Sequence, residues 1–213
     1  MPIVFNKHID DQTILSVWKI EETEAQLISG LQLKQHELDF ISSLNNGKRL
    51  LHWLSTRLLL RTMLKTTEYI DCRMDDHGKP YLVNFDYEIS LSHSYDYAAV
   101  MISRDKKVGV DIELMKDKIH KIEHKFLSVG ELEQKTLDRS TAGLYVCWCV
   151  KEAIYKWNGR KGLELKKDMF IQAFALQENG VLRAFVDLPE EKKELSASYF
   201  RTEDGYMLGY VMA

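Results

Sequence analysis

The chain has 213 residues, 45% of them hydrophobic and 29% charged, and its 29 basic against 32 acidic side chains leave a net charge of −3. That length holds one large domain or two small ones with a proper core, and that composition excludes a disordered, collagenous or low-complexity polypeptide. A general nucleic-acid binder would be basic, so no nucleic-acid partner is expected. Three cysteines, Cys72, Cys147 and Cys149, make no disulfide framework and suit a reducing compartment. The first residues lack the basic start and apolar run of a signal peptide, and no apolar stretch reaches the length of a membrane span. A cytoplasmic protein with no membrane partner is expected.

In chain order, Ile14 to Ile20 alternates loosely in β-branched and aromatic residues and predicts a strand. Thr23 to Ser29 and Lys34 to Leu44 predict short helices, and Asn45-Asn46-Gly47 a break. A long Leu-rich helix is expected from Lys48 to Lys65, with Arg49, Arg57 and Arg61 set among apolar residues. Asp75-Asp76-His77-Gly78-Lys79-Pro80 is a turn cluster. Tyr87 to Ser92, Ala98 to Ser103 and Lys107 to Leu114 then read as an antiparallel meander with short connectors. The charged stretch Met115 to Lys125 is expected as a solvated helix or loop. Ser128 to Lys135 is a helix whose Ser128 and Glu131 make a capping box. Ala142 to Trp157 is a helix closed by Asn158-Gly159. Strands follow at Asp168 to Leu176, Val181 to Val186, Glu194 to Arg201 and Tyr206 to Met212.

Helix followed by strands thus occurs twice, which gives an α+β class. Trp53, Arg57 and Arg61 have the mutual spacing of Trp148, Glu152 and Lys156. Leu91-Ser92-His93-Ser94-Tyr95 resembles Leu195-Ser196-Ala197-Ser198-Tyr199, and a Tyr-led apolar strand follows each. These two short matches suggest a duplicated architecture, and a cleft between two halves would be the natural ligand site.

Three constellations carry chemistry. In the helix around Trp148, Val146, Val150, Ala153, Ile154 and Trp157 form one apolar stripe, while Lys151, Glu152 and Lys156 fall opposite among Tyr145, Trp148 and Tyr155. Glu152 and Lys156 are either an ordinary surface pair at i, i+4 or part of a metal and phosphate site. In Val108-Gly109-Val110-Asp111-Ile112-Glu113, the two carboxylates share one strand face, at a spacing that suits Mg²⁺ or plain solvent exposure, and Gly109 admits a backbone or a ligand. Ser92-His93-Ser94 ends a strand. Adjacent residues face opposite sides and no G-x-S-x-G elbow is present, so a serine hydrolase is not supported, whereas a phosphate would suit the pair. His120 and His124 have metal-compatible spacing but sit among lysines, as on a solvated face. Cys147 and Cys149, two apart on a helix, diverge.

Gly109-Val110-Asp111-Ile112-Glu113 and Trp148-Cys149-Val150-Lys151-Glu152-Ala153-Ile154-Tyr155-Lys156 together resemble the paired motif of the phosphopantetheinyl transferases. Gly78-Lys79-Pro80, Ser92-His93-Ser94, Phe126-Leu127-Ser128 and Lys161-Gly162-Leu163 resemble further segments of the Sfp-type branch, in the right order over residues 78 to 163. The resemblance implies two similar α+β lobes, residues 1–104 and 105–213, with the active site between them. It implies a monomeric, Mg²⁺-dependent enzyme that transfers the 4'-phosphopantetheine arm of coenzyme A to a serine of an apo acyl or peptidyl carrier protein and releases adenosine 3',5'-bisphosphate. Asp111, Glu113 and Glu152 would hold the metal, with Asp111, Glu152 and Lys156 as the catalytic set. Glu152 would take the serine proton, directly or through a metal-bound water, and Lys156 would stabilise the pyrophosphate. Lys79, Ser92 and His93 would bind the nucleotide phosphates. Lys151 would support the same anion or form a salt bridge nearby. Arg49 and Arg57 stand where the family places basic residues for coenzyme A, while His52 and Trp53 depart from many relatives. Two rivals remain: an inactive carrier- or nucleotide-binding module, and another Mg²⁺-dependent phosphoryl or nucleotidyl transferase.

Overall fold

The structure, a computed structural model, describes residues 3–44 and 47–213. The chain divides into two units, one built from Met1–Asp75 with Pro80–Lys106 and the other from Asp76–Lys79 with Lys107–Ala213. Asn45 and Asn46 of the expected break lie outside the described residues.

In the first unit, β1 (Ile3–His8) and β2 (Thr13–Lys19) form a hairpin, followed by α1 (Glu24–Ser29), α2 (Gln35–Ser43) and α3 (Lys48–Leu64). A short hairpin, β3 (Cys72–Met74) with β4 (Pro80–Leu82), precedes β5 (Glu88–Ser94) and β6 (Tyr97–Ser103). The main sheet has the order β1-β2-β6-β5 and is antiparallel throughout. Helix α3 lays Leu50, Leu54 and Leu59 into a core with Trp18, Val100 and Ile102. Strand β1 was not expected. It is an edge strand whose residues are almost all exposed, so the alternation that marks a half-buried strand is missing from its sequence.

In the second unit, β7 (Val108–Leu114) leads into a 3-10 turn at Asp117–Lys121, then α4 (Glu123–Phe126), α5 (Val129–Glu133) and α6 (Thr141–Asn158). Strands β8 (Met169–Ile171), β9 (Asn179–Asp187), β10 (Lys192–Arg201) and β11 (Tyr206–Met212) complete an antiparallel sheet of order β7-β11-β10-β9-β8. The strand expected over Asp168–Leu176 is only three residues long. Beyond it the side chain of Gln134 takes the place of a neighbouring strand: its amide nitrogen donates to Ile171 O (2.9 Å) and its amide oxygen accepts from Ala173 N (2.7 Å). The stretch Met115–Lys125 is not wholly solvated, because Ile119 and Phe126 anchor its two short helical turns in the core.

Both units follow one plan: a strand, a long helix, and a closing antiparallel pair whose last strand returns beside the first. Thus β2 pairs with β6 and β7 with β11. Leu91–Tyr95 and Leu195–Tyr199 fall on or at the end of the equivalent penultimate strands, β5 and β10. The α+β class is therefore what this sequence forms.

Candidate active site

Helix α6 is capped by the Ser140 side chain, which accepts from Gly143 N (3.2 Å), and ends at Gly159 in the left-handed region (φ 68°). Its backbone lies directly on β7 and β11, because the strands carry glycine at the crossing. A Cβ at Gly109 would stand 1.9 Å from Ala153 O, and one at Gly209 would stand 2.8 Å from Cys149 C. Gly109 therefore admits a helix backbone, the first of its two expected uses. Strand alternation puts Asp111 and Glu113 on the same face as Gly109, so both carboxylates emerge beside α6.

On that face Lys156 Nζ donates to Asp111 Oδ1 (2.7 Å) and to Val110 O (3.1 Å). Of the two readings of Glu152 and Lys156, the plain i, i+4 surface pair gives way to this cross-element pair of Lys156 with Asp111. Asp111 is 5% exposed, so its ionised form needs that ammonium. Glu152 is half-buried, and its carboxyl is pushed up to about 7, by burial first and then by the facing Asp111 and Glu113, against the opposing pull of Lys156. The same excess of negative charge adds to burial in raising the Cys149 thiol. Three hard oxygen donors with one ammonium among them match the chemistry of a divalent cation. As they stand in the structure, however, no three or more His, Cys, Asp or Glu side chains among the described residues are close enough to hold a metal ion together, these three carboxylates included.

Of the two expectations for Lys151, support of the anion or a nearby salt bridge, the structure shows the salt bridge. Lys151 is fully buried, and the three N–H groups of its Nζ are shared among four oxygens: Glu131 Oε2 (2.7 Å), Phe126 O (2.7 Å), Leu165 O (2.9 Å) and Met169 O (3.0 Å). With four oxygens around it the ammonium has no donor direction left for a phosphate. Glu131 is the residue that the sequence reading valued too narrowly. It completes the capping box, accepting from Ser128 N (2.7 Å), and its other oxygen accepts from Ile171 N (2.8 Å). The capping box, twenty positions before the motif lysine, is the sequence trace that Glu131 leaves.

The Gly78-Lys79 turn meets the end of α6. The stem of Lys79 lies over Gly159, where a Cβ would be 2.4 Å from Lys79 Cδ, and Lys161 Nζ donates to Asp76 O (3.0 Å). In the first unit, buried Ser92 and exposed His93 are neighbours on β5, and the His93 ring stacks on that of His52. Arg49 is exposed on the first turn of α3. Arg57 is 9% exposed, with its guanidinium carbon 5.0 Å from the Trp53 ring centroid. A cavity of about 540 Å³ along β9, floored by Tyr199 and flanked by Arg183 and Glu194, includes none of these residues.

The family model of the 4'-phosphopantetheinyl transferase superfamily matches residues 107–211, a span that holds β7, α6 and the carboxylate cluster. The chain is 30% identical over 139 residues to the 4'-phosphopantetheinyl transferase AcpT of Salmonella typhi, covering 62% of this chain and 71% of that one. The AcpT of Salmonella typhimurium matches to the same extent. A Synechocystis protein provisionally named as a 4'-phosphopantetheinyl transferase is 29% identical over 123 residues, 51% of this chain and 49% of its own.

Proposed function

Since the chain belongs to the 4'-phosphopantetheinyl transferase superfamily and is a transferase of that type, we propose that it moves the phosphopantetheine arm of coenzyme A onto a serine of an apo acyl or peptidyl carrier protein. The observation that carries the proposal is the cluster on β7 and α6: Lys156 pinned to Asp111, with Glu152 held near neutrality beside Asp111 and Glu113. A carboxyl near 7 suits a general base at physiological pH.

In the proposed reaction the carrier serine Oγ attacks the phosphorus that bears the pantetheine arm. The bond from that phosphorus to the bridging oxygen breaks, and the electron pair leaves on the 5'-phosphate of adenosine 3',5'-bisphosphate. Glu152 accepts the serine proton, and an intervening water relieves the carboxylate of serving at once as ligand and base. Lys156 meets the negative charge that develops on the pyrophosphate oxygens. Asp111, Glu113 and Glu152 would hold Mg²⁺, which supplies further neutralisation of that charge. Lys79, Ser92, His93 and Arg49 are assigned to the phosphates of coenzyme A on the strength of the family resemblance. Lys151 is left out of this set, and Arg57, packed on Trp53, is given no contact.

Intact-mass spectrometry of an apo acyl carrier protein, incubated with this protein, coenzyme A and Mg²⁺, tests the reaction. A gain of one phosphopantetheine, abolished by chelator, is expected. Absence of any gain across several apo carriers, with coenzyme A still bound, would make the chain a binding module. A different product would point to another phosphoryl or nucleotidyl transferase.

A further inference from the structure

Two side chains on one face of the first turns of α3, Lys48 and His52, reach the turn that joins β5 to β6. Lys48 Nζ lies 4.9 Å from the Tyr95 ring centroid and 3.5 Å from Asp96 Oδ1. His52 makes the closer engagement, in two ways. Its ring Nε2 lies 2.6 Å from Tyr95 O, and a carbonyl only accepts, so Nε2 is the donor. The same imidazole stacks on His93, with centroids 4.2 Å apart and planes 17° from parallel.

Tyr95 gives the first contact its significance. It is one of two non-glycine residues with positive φ among the described residues, at 49°. A left-handed tyrosine is disfavoured by its own Cβ and persists only where its surroundings hold it. The carbonyl gripped by His52 is that of this strained residue, two positions beyond His93. His52 is 9% exposed whereas His93 is exposed. The buried ring is the fixed platform, and the open ring is the one a solute can reach. Stacking covers one face of the His93 imidazole and leaves its nitrogen-bearing edge to turn only within the plane.

We propose that His52 is a positioning residue: through the ring stack and its hold on the Tyr95 carbonyl, it fixes the imidazole of His93 for phosphate recognition in coenzyme A. This rests on the reading of His93 as a phosphate contact. It goes beyond that reading by assigning a role to a helix residue that makes no phosphate contact itself.

A double-mutant cycle on steady-state kinetics tests it, with imidazole NMR of the apo protein as a readout that needs no turnover. His52→Ala should raise KM for coenzyme A about five- to tenfold while kcat stays within about twofold. His52→Phe, which restores the stack but not the donor, should recover much of that loss and guards against a variant that fails to fold. His93→Ala should weaken coenzyme A binding at least as much, and adding His52→Ala to it should cost nothing further, since a residue that acts only through His93 has nothing left to act on. In the apo protein, His52→Ala should shift the His93 ring resonances. Additive effects in the cycle, or unmoved His93 resonances, would overturn the positioning role while leaving His93 as a contact. An unchanged KM in His93→Ala would instead remove the phosphate contact itself, and the proposal with it.

Discussion

At the scale of the residue, the decisive group is Glu152. Its carboxyl sits at about 7 in the fold against an ordinary 4.5. The folded protein therefore keeps a proton between those values that the unfolded chain releases, and stability present below pH 4.5 is lost as pH rises through 7. Glu152→Gln should abolish transfer yet gain on the wild type as pH rises, by up to about 3 kcal/mol above pH 7 in denaturant melts. Asp111→Ala should also abolish transfer, because Lys156 loses its anchor. A Glu152→Gln advantage that is the same at pH 5 and pH 8 would disprove the electrostatic account. Lys151, next in the chain, behaves in the opposite way. Burial lowers its pKa, but Glu131 and three carbonyls hold the ammonium. Lys151→Met leaves Glu131 buried without its cation and should cost about 3–5 kcal/mol in a thermal or denaturant melt. The sequence exposes Asp111, Glu113, Glu152 and Lys156 through their residue types and spacing. It does not separate Lys151 from them, because helical periodicity puts all three charges on one side, and only Glu131, twenty positions away, shows which charge is structural.

At the scale of the element, the site depends on how closely α6 lies on β7 and β11. Gly109 and Gly209 remove the side chains that would hold the helix off, and Gly209 is the register partner of Asp111. Gly109→Ala forces a methyl into the Ala153 carbonyl, a backbone atom that has no rotamer through which to escape. It should cost at least about 1–3 kcal/mol and depress transfer by lifting Glu152 and Lys156 away from Asp111. Wild-type stability and activity in that variant would show that the crossing is looser than the distances imply. Most elements are legible because periodicity and caps agree, as in α6 between Ser140 and Gly159. The exceptions share a cause. Strand β1 is an exposed edge without the burial pattern, and the outer edge of β8 is satisfied by the Gln134 amide in place of a backbone partner. Neither event leaves a local signature in the sequence.

At the scale of the whole molecule, one plan has been used twice with the charge reversed at one position, where Glu152 answers to Arg57. The positions of Trp148, Glu152 and Lys156 on α6 correspond in spacing to Trp53, Arg57 and Arg61 on α3, so the carboxylate cluster belongs to the second unit alone. That cluster, and the close seating of α6 that makes it, leave a mark on the stability of the whole chain at high pH. Cys147 is fully buried in the same helix, and burial, then the negative charge of Glu131, pushes its thiol up to about 12 from 9.0; Cys149 is raised as well. The unfolded chain releases these protons above pH 9 while the fold retains them, so the stability they confer is intact below pH 9 and is lost as pH climbs toward 12. Lys151 opposes this, since its lowered pKa means that the penalty of keeping it charged is relieved toward pH 10.5. With Cys72 raised by burial as well, three thiols against one ammonium leave a net loss. Guanidinium unfolding should therefore show stability falling between pH 9 and 11, with about 2–3 kcal/mol of the fall due to Cys147. Cys147→Ala starts lower at pH 8 through the lost packing but should decline less steeply, so that the two curves converge by pH 11. Parallel curves would mean that the thiol meets solvent in the native state, and α6 would then be less firmly seated on the sheet than the glycine contacts require.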